Sequence, residues 1–187
     1  PCKVRGVVSL KFRSFKIWGK IMVGSAGVRK IPKKKVVFSL IALYGIENKG
    51  VRMISSLLKS RGYQTNVILF KTWVNNRLFP PREREIELLI EVLRETKTDI
   101  VGISLLASFF KIASTLTQRI KGSLNIPVVW GGLHPTLVPE ECIEIADIIC
   151  IGEGEYPMLE LVERIFQGEE ITDILSLWVK TPQGIFK

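Results

Sequence analysis

Short apolar segments alternate with amphipathic ones along most of the chain. The apolar segments lie at 36–43, 64–70, 99–106, 127–130 and 147–151, and most are continuous runs, as in strands buried on both faces. Between and after them, apolar residues recur every three or four positions at 50–61, 82–96, 111–121 and 157–166, which predicts helices. Alternating strands and helices predict an α/β fold of βαβ units. We therefore expect a doubly wound, Rossmann-like or flavodoxin-like five-stranded parallel sheet with helices on both faces.

The same pattern divides the chain into three parts. Residues 1–34 keep neither the strand nor the helix period, so we expect a poorly ordered arm there. Residues 35–168 form the predicted folded domain. Residues 169–187 contain two short segments around Pro182-Gln183-Gly184 that predict a hairpin. We interpret this tail as a connection toward a C-terminal domain that the sequence does not contain.

Charge is distributed unevenly along the chain. The net charge is +9, but residues 1–35 hold 11 Lys or Arg and no Asp or Glu. The remaining residues carry 16 basic and 18 acidic side chains, a net charge of −2. Basicity therefore belongs to the arm, and nucleic-acid binding by the domain is not expected, although a phosphate-binding arm stays open. No apolar run has the length of a transmembrane helix, so no membrane partner is expected.

The three cysteines, Cys2, Cys142 and Cys150, have no zinc or iron-sulfur spacing. An odd number of cysteines without a disulfide framework is typical of a reducing compartment, so a cytoplasmic location is expected. Cys142 and Cys150 stand among apolar residues and are interpreted as core side chains.

Ligand-binding residues of an open α/β sheet lie at the carboxyl ends of its strands. Here these loops hold Tyr44-Gly45, Ser104-Leu105-Leu106, Gly131-Gly132 and Gly152-Glu153-Gly154. Neither a dinucleotide-binding GxGxxG after the first strand nor a P-loop is present. The glycines permit close approach of a ligand, or they only form turns. No catalytic residue is assigned, because Ser104 has no evident base.

His134 is the only histidine. A lone imidazole can act as a base or a metal ligand. It has no neighbouring Asp or Cys in the sequence, and Pro135 follows it. A hydrogen bond that orders the Pro-punctuated loop is therefore the favoured interpretation, and no metal ligand is assigned.

Two motifs resemble a known family. The segment GGLHPTLVPEE, followed by DIICIGEGEYPMLELV, resembles the N-terminal cobalamin-binding domain of cobalamin-dependent radical SAM proteins, the group that includes the anaerobic magnesium-protoporphyrin cyclase. Ser104-Leu105-Leu106 and Gly131-Gly132 are similar to the SxL and GG elements of cobalamin-binding domains. The resemblance covers about residues 35–187 and implies cobalamin as the cofactor.

The third element of the wider family, DxHxxG, is only partly matched. It falls on 45–50, where Gly50 is kept, but Gly45 replaces the Asp and Glu47 replaces the cobalt-ligating His. The resemblance therefore implies cobalamin bound without a histidine ligand, as is common among the radical SAM members. It implies a corrinoid-binding site that consists of Tyr44, Gly45, Glu47, Ser104, Leu105, Leu106, Gly131, Gly132, His134, Pro135, Gly152, Glu153 and Gly154.

The expected partner is a radical SAM domain, in the same polypeptide or in another one. The CxxxCxxC motif that holds its 4Fe-4S cluster and S-adenosylmethionine is absent from the 187 residues, so those cofactors are expected only in an absent downstream domain. The chain is not expected to be an enzyme alone but to serve methyl transfer or a related reaction. Two alternatives stay open: a docking or structural module without cofactor, and a free-standing corrinoid carrier.

Overall fold

One sheet of seven strands organises the fold. The computed structural model of the chain describes residues 36–45, 47–72 and 77–187, and the predicted basic arm lies outside these residues. The strands are β1 (Val37–Leu43), β2 (Gln64–Phe70), β3 (Ile100–Ser104), β4 (Val128–Gly131), β5 (Ile148–Cys150), β6 (Leu177–Thr181) and β7 (Gly184–Phe186).

The first five strands are parallel and lie in the order β2-β1-β3-β4-β5. Every residue of β1 is buried, which explains its continuous apolar sequence. β2 lies at the edge of the sheet and is only partly buried. The predicted Rossmann-like α/β class is confirmed.

The predicted strand number is wrong, because the sheet has seven strands and not five. The predicted hairpin forms from β6 and β7, and β6 pairs antiparallel with β5 in the same sheet. Leu177 and Val179 of β6 are fully buried in the core, and burying their apolar surface holds the hairpin against the domain. Whether the tail also connects to a further domain stays a prediction.

Helices cover both faces of the sheet. They are α1 (Lys49–Ser60), α2 (Glu83–Glu95), α3 (Phe110–Leu124), α4 (Leu133–Leu137), α5 (Pro139–Ile143) and α6 (Glu155–Gln167). On one face, α1 and α6 share a core with β1, β5 and β6. On the other face, buried residues of α2, α3 and α5 form a second core around Trp130.

Local signals set most helix ends. The Asn48 side chain accepts a hydrogen bond from the Val51 amide and caps α1. Gly168 adopts a left-handed conformation, φ 76°, that ends α6. The Pro-punctuated loop expected after Gly132 is instead the five-residue α4. Pro135 is its third residue, where the missing amide would have no partner within the helix.

Within the described ranges, no helix is long and apolar enough to cross a membrane.

Candidate functional site

The strand order concentrates the predicted loops at one edge of the sheet. The chain leaves β1 toward β2 on one side, and β3 lies on the other side of β1. In parallel sheets, a ligand-binding crevice forms at the carboxyl ends of the strands where the order reverses in this way. Loops after β1, β3, β4 and β5 therefore meet, and two cavities lie among them.

The first cavity, here called the slot, lies between the sheet and helices α1 and α6 and has a volume of about 140 Å³. Six predicted site residues line it: Ser104, Gly131, Gly132, Gly152, Glu153 and Gly154. The remaining wall is mostly apolar and comes from β1, β3, β4, β5, α1 and α6. The slot is therefore narrow, mostly apolar and bordered in part by glycine backbone.

The second cavity, here called the outer cavity, lies over the strand ends and has a volume of about 390 Å³. It is lined by seven predicted site residues: Tyr44, Gly45, Glu47, Ser104, Leu105, Leu106 and Gly132. Leu106 and Leu133 on its rim are 50% and 58% exposed, so the cavity has an accessible apolar border. Ser104 and Gly132 line both cavities and mark their junction.

Ser104 is held by the cap of helix α1. Asn48 Nδ2 donates to Ser104 Oγ at 2.9 Å, while Asn48 Oδ1 accepts from the Val51 amide at 3.0 Å. The amide orientation is fixed by these two contacts, because Oδ1 can only accept and Nδ2 can only donate. Ser104 Oγ is thus an acceptor for Asn48, and its own hydrogen has no acceptor among the described residues.

Gly132 occupies a conformation that other residues rarely adopt. Its φ is 102° and its ψ is −166°. A Cβ at this position would lie 3.0 Å from the Leu105 carbonyl oxygen and 3.1 Å from the Leu105 nitrogen. The glycine lets the β4 loop pack against the end of β3, where the His134 amide donates to the Leu105 carbonyl.

Thr136 links the two glycine-containing loops. Its hydroxyl donates to the Gly132 carbonyl at 2.9 Å and accepts from the Gly152 amide at 2.9 Å. The loop after β4 and the loop after β5 are therefore fixed relative to each other at the edge of the slot. Gly152 has φ 77°, which glycine adopts without strain.

His134 and Pro135 line neither cavity. The His134 side chain is 10% exposed and packs edge-on against Phe110 with ring centroids 5.2 Å apart. Among the described residues, its Nε2 is buried without a hydrogen-bond partner, and Glu141 Oε2 lies 3.9 Å away. Both residues thus follow Gly131-Gly132, here called the Gly-Gly loop, and lie outside the two cavities that it borders. Their assignment as cofactor contacts stays a prediction.

Tyr44 lines the outer cavity but directs its hydroxyl into the protein. The hydroxyl donates to the Phe79 carbonyl at 2.6 Å, and the ring stacks on Phe109 with centroids 5.0 Å apart. Burial raises the Tyr44 pKa above 10.0, and the negative charge of Glu85 raises it further. The phenol therefore stays neutral at physiological pH and contributes packing surface.

Sequence reasoning missed several residues of the slot. Gly102 on β3 faces it, and a Cβ there would lie 2.9 Å from Leu40 Cδ2 and 3.0 Å from Phe38 Cε2. Ile54 and Met158, from α1 and α6, form the facing wall. A glycine inside an apolar strand was a detectable signal of close approach, whereas nothing local marks Ile54 or Met158 as more than core residues.

The titratable side chains of the site are either buried in the slot wall or exposed to solvent. Cys150 lines the slot, and burial, with the nearby charges of Glu155 and Glu153, raises the pKa of its thiol to about 12. It is therefore an uncharged wall residue. The Glu47 and Glu153 side chains are exposed. Within the part of the chain that the structure describes, no cluster of three His, Cys, Asp or Glu side chains is arranged to bind a metal ion.

Comparison with known proteins identifies a domain family. A model of the B12 binding domain matches residues 41–162, from β1 into α6. The anaerobic magnesium-protoporphyrin IX monomethyl ester cyclase of Rubrivivax gelatinosus is 32% identical over 127 residues, which are 66% of this chain and 21% of that protein. An uncharacterized methyltransferase of Pyrococcus horikoshii is 36% identical over 97 residues, 49% of this chain and 21% of that protein. This chain thus spans about a fifth of these curated relatives.

Solved structures share the fold at low sequence identity. The radical S-adenosylmethionine methyltransferase TsrM from Kitasatospora setae, with cobalamin and a [4Fe-4S] cluster bound, matches 81% of this chain and 30% of its own, with a TM-score of 0.67 and 18% identity. The cobalamin-dependent S-adenosylmethionine radical enzyme OxsB with aqua-cobalamin bound matches 81% of this chain and 22% of its own, with a TM-score of 0.64 and 20% identity.

Proposed function

This chain belongs to the B12-binding domain family, and we propose that it binds cobalamin with the nucleotide tail in the slot and the corrin ring over the outer cavity. The single observation that carries this proposal is the pair of cavities joined at Ser104 and Gly132. One is narrow and apolar, as a tail base requires. The other is broad and has an apolar rim, as a corrin ring requires.

The slot passes a test of fit. An apolar cavity of about 150 Å³ accepts a benzene ring, and the slot has about 140 Å³ and opens toward the outer cavity at Ser104 and Gly132. A cavity of this volume would accommodate one aromatic ring, and the rest of the tail would extend through its opening. Side chains at Gly102 or Gly154 would reduce this space, because a Cβ at Gly154 would lie 3.1 Å from Ile54 Cδ1.

Ser104 orients the tail in this proposal. Its oxygen accepts from Asn48, and no acceptor for its hydrogen is found among the described residues. A hydrogen bond from Ser104 to the tail base would hold that base inside the protein. Asn48 also caps α1, so the residue that positions Ser104 is itself fixed by a helix that forms the slot wall.

We further propose that no histidine of this chain ligates the cobalt. Glu47, at the position that matches the family's ligand, is exposed beside the outer cavity. His134 is the only imidazole in the chain, and its side chain is packed against Phe110 behind the Gly-Gly loop. Leu106 and Glu47, which are exposed and line the outer cavity, would therefore border the corrin ring on this side, and no imidazole would.

The partner in this proposal is a radical SAM domain, in the same polypeptide or in another one. TsrM and OxsB, which share the fold, are radical S-adenosylmethionine enzymes whose structures contain cobalamin, and this supports the pairing. A bound cobalamin supplies a cobalt centre that can carry a methyl group, and the chain itself supplies only binding and orientation. Analytical ultracentrifugation of the corrinoid-loaded chain with the separately purified radical SAM domain tests the pairing, and sedimentation as two unassociated species would contradict it.

Binding is tested on the purified chain with hydroxocobalamin and methylcobalamin. After gel filtration, we expect the corrinoid to co-elute with the protein, with the visible spectrum of the form whose tail base has left cobalt. Loss of all corrinoid on the column, under both reducing and oxidising conditions, would refute the proposed function. A co-eluting corrinoid that keeps the free-solution spectrum would refute the placement of the tail in the slot.

Electron paramagnetic resonance of the bound Co(II) form tests the ligation. Nitrogen that ligates cobalt splits the signal, so we expect no such splitting in the wild-type chain. His134→Ala is the matched variant and should give the same spectrum. Nitrogen splitting that disappears in His134→Ala would show that this histidine is a ligand and refute the proposal.

A further inference from the structure

Few side chains of the slot wall can form a hydrogen bond to a group that enters it. Among the described residues that line the slot, Ser104 carries the only hydroxyl. The facing and flanking side chains of Leu40, Val129 and Met158 are 2–3% exposed and apolar. Glu153 and Glu155 also line a separate surface groove, so their carboxylates stand at the solvent side of the slot.

We propose that this slot selects the tail base of the corrinoid, accepting a benzimidazole and discriminating against adenine. The inference rests on the proposed function, because it assumes that the slot receives the tail. It goes further by assigning a ligand specificity to named wall residues. The selecting features are the Ser104 hydroxyl, the only one among the described lining residues, and the apolar surface of Met158 and Val129.

Hydrogen-bond complementarity is the physical basis of this selection. A benzimidazole linked to the tail through one ring nitrogen presents one further nitrogen, which accepts a hydrogen bond. Ser104 Oγ already accepts from Asn48 and has one hydrogen to donate, so donor and acceptor match one to one. The carbocyclic part of the base contains no polar atom and contacts apolar side chains.

Adenine presents a different set of groups to the same wall. Its six-membered ring carries two further acceptor nitrogens and an amino donor, all of which are hydrogen-bonded in water. Of the side chains that line the slot, Val129 and Met158 offer these groups no strong hydrogen-bond partner, and the Cys150 thiol already donates to the Glu153 carbonyl oxygen at 3.9 Å. Each buried polar group left without a partner weakens binding by on the order of tenfold to a hundredfold.

Size does not explain the expected selection. Adenine and 5,6-dimethylbenzimidazole are both fused five- and six-membered rings with substituents on the six-membered ring, and two methyl groups occupy more space than one amino group, so a slot that accepts the dimethylated base does not exclude adenine by volume. A comparison of these two bases therefore isolates polarity.

Three cobamides that differ only in the tail base test the inference: 5,6-dimethylbenzimidazole, unsubstituted benzimidazole and adenine. Dissociation constants are measured with the full chain by spectroscopic titration under identical conditions. We expect both benzimidazoles to bind similarly and the adenine cobamide at least about tenfold more weakly. Equal binding of all three would overturn the selectivity and leave the proposed function intact, whereas binding of none would overturn the proposed function itself.

A pair of variants locates the selectivity in the wall. Met158→Gln places a donor and an acceptor in the slot at similar volume, and it should reduce the ratio between the benzimidazole and adenine dissociation constants severalfold. Met158→Leu, the matched control, should keep that ratio. A ratio that stays unchanged in a folded Met158→Gln variant, as judged by circular dichroism, would overturn the assignment to this wall. The wild-type comparison decides the selectivity by itself if the glutamine variant does not fold.

Discussion

Replacing Gly132 with alanine should strongly destabilise the fold, whereas the same change at the adjacent Gly131 should not. Gly132 has φ 102° and ψ −166°, a region that is essentially restricted to glycine. Gly131 ends β4 and is not among the described residues with positive φ. The two neighbours thus provide a matched pair in which only one position requires glycine.

The magnitude follows from two separate costs. Holding alanine in the Gly132 conformation costs about 1–3 kcal/mol. Its Cβ would lie 3.0 Å from the Leu105 carbonyl oxygen and 3.1 Å from the Leu105 nitrogen, both in backbone that cannot rotate away. Overpacking of this kind adds about 1–3 kcal/mol, for a total loss of roughly 2–6 kcal/mol.

The Gly131→Ala variant faces neither cost. Its nearest neighbour would be Cys150 Cβ at 3.8 Å, an ordinary van der Waals contact. Losing a glycine also restricts the unfolded chain, which stabilises a compatible site by about 0.4–1 kcal/mol. We therefore expect Gly131→Ala to leave the free energy of unfolding unchanged or to raise it slightly.

Urea denaturation followed by far-ultraviolet circular dichroism measures both changes. With a slope of about 2 kcal/mol per M, Gly132→Ala should lower the unfolding midpoint by roughly 1–3 M. The Gly131→Ala midpoint should equal or exceed that of the wild type. If both variants unfold at the same urea concentration, the argument from the Gly132 conformation is wrong.

Three further changes test the slot and its support. Asn48→Asp keeps the acceptor that caps α1 but makes the Ser104 hydroxyl donate to the new carboxylate. The urea midpoint should therefore stay near that of the wild type, while corrinoid affinity should fall at least about fivefold. Equal affinity would contradict the proposed role of Asn48 and Ser104. Gly102→Ala should weaken corrinoid binding about tenfold or more because its Cβ needs space in the slot wall, whereas Gly122→Ala, with no neighbour within 4 Å, should not change the dissociation constant. Burial raises the pKa of the Cys150 thiol from its ordinary value of 9.0 to about 12 in the folded protein. Between these pH values the folded state keeps a proton that the unfolded state loses. The free energy of unfolding should therefore fall as pH rises from 9.0 toward 12. Urea midpoints across this range should fall less steeply for Cys150→Ala, and an unchanged slope would contradict this assignment.

Local patterns predicted the helices and strands well because the apolar repeat of a helix or a strand is visible within a few consecutive residues. The continuous apolar run of β1 and the matching of β2 to 64–70 illustrate this. α4 was missed because a proline in the first turn of a helix resembles a proline in a loop. The hairpin β6–β7 was predicted, but its pairing with β5 depends on residues far apart in the chain.

The residues predicted for the candidate site lie mostly on the loops around the two cavities, whereas few residues of the cavity walls were predicted. Six predicted residues line the slot and seven line the outer cavity, because strand-end loops of a parallel sheet converge by topology. The sequence did not indicate that Asn48 would hold Ser104 or that Thr136 would link two loops. These contacts join residues 56 and 16 positions apart, so no local pattern reports them.

By itself, the sequence determined the order of strands and helices, the α/β class, the positions of the strand-end glycines and the motifs that mark the family. Only the tertiary structure decided that Ile54 of α1 lies opposite Gly154, that Gly102 opens the slot, and that His134 stands behind the Gly-Gly loop and outside both cavities. The physical reason is that backbone periodicity and turn chemistry are local properties of the chain. A cavity, by contrast, is the space left when side chains from distant elements pack, and its walls are defined only by that packing.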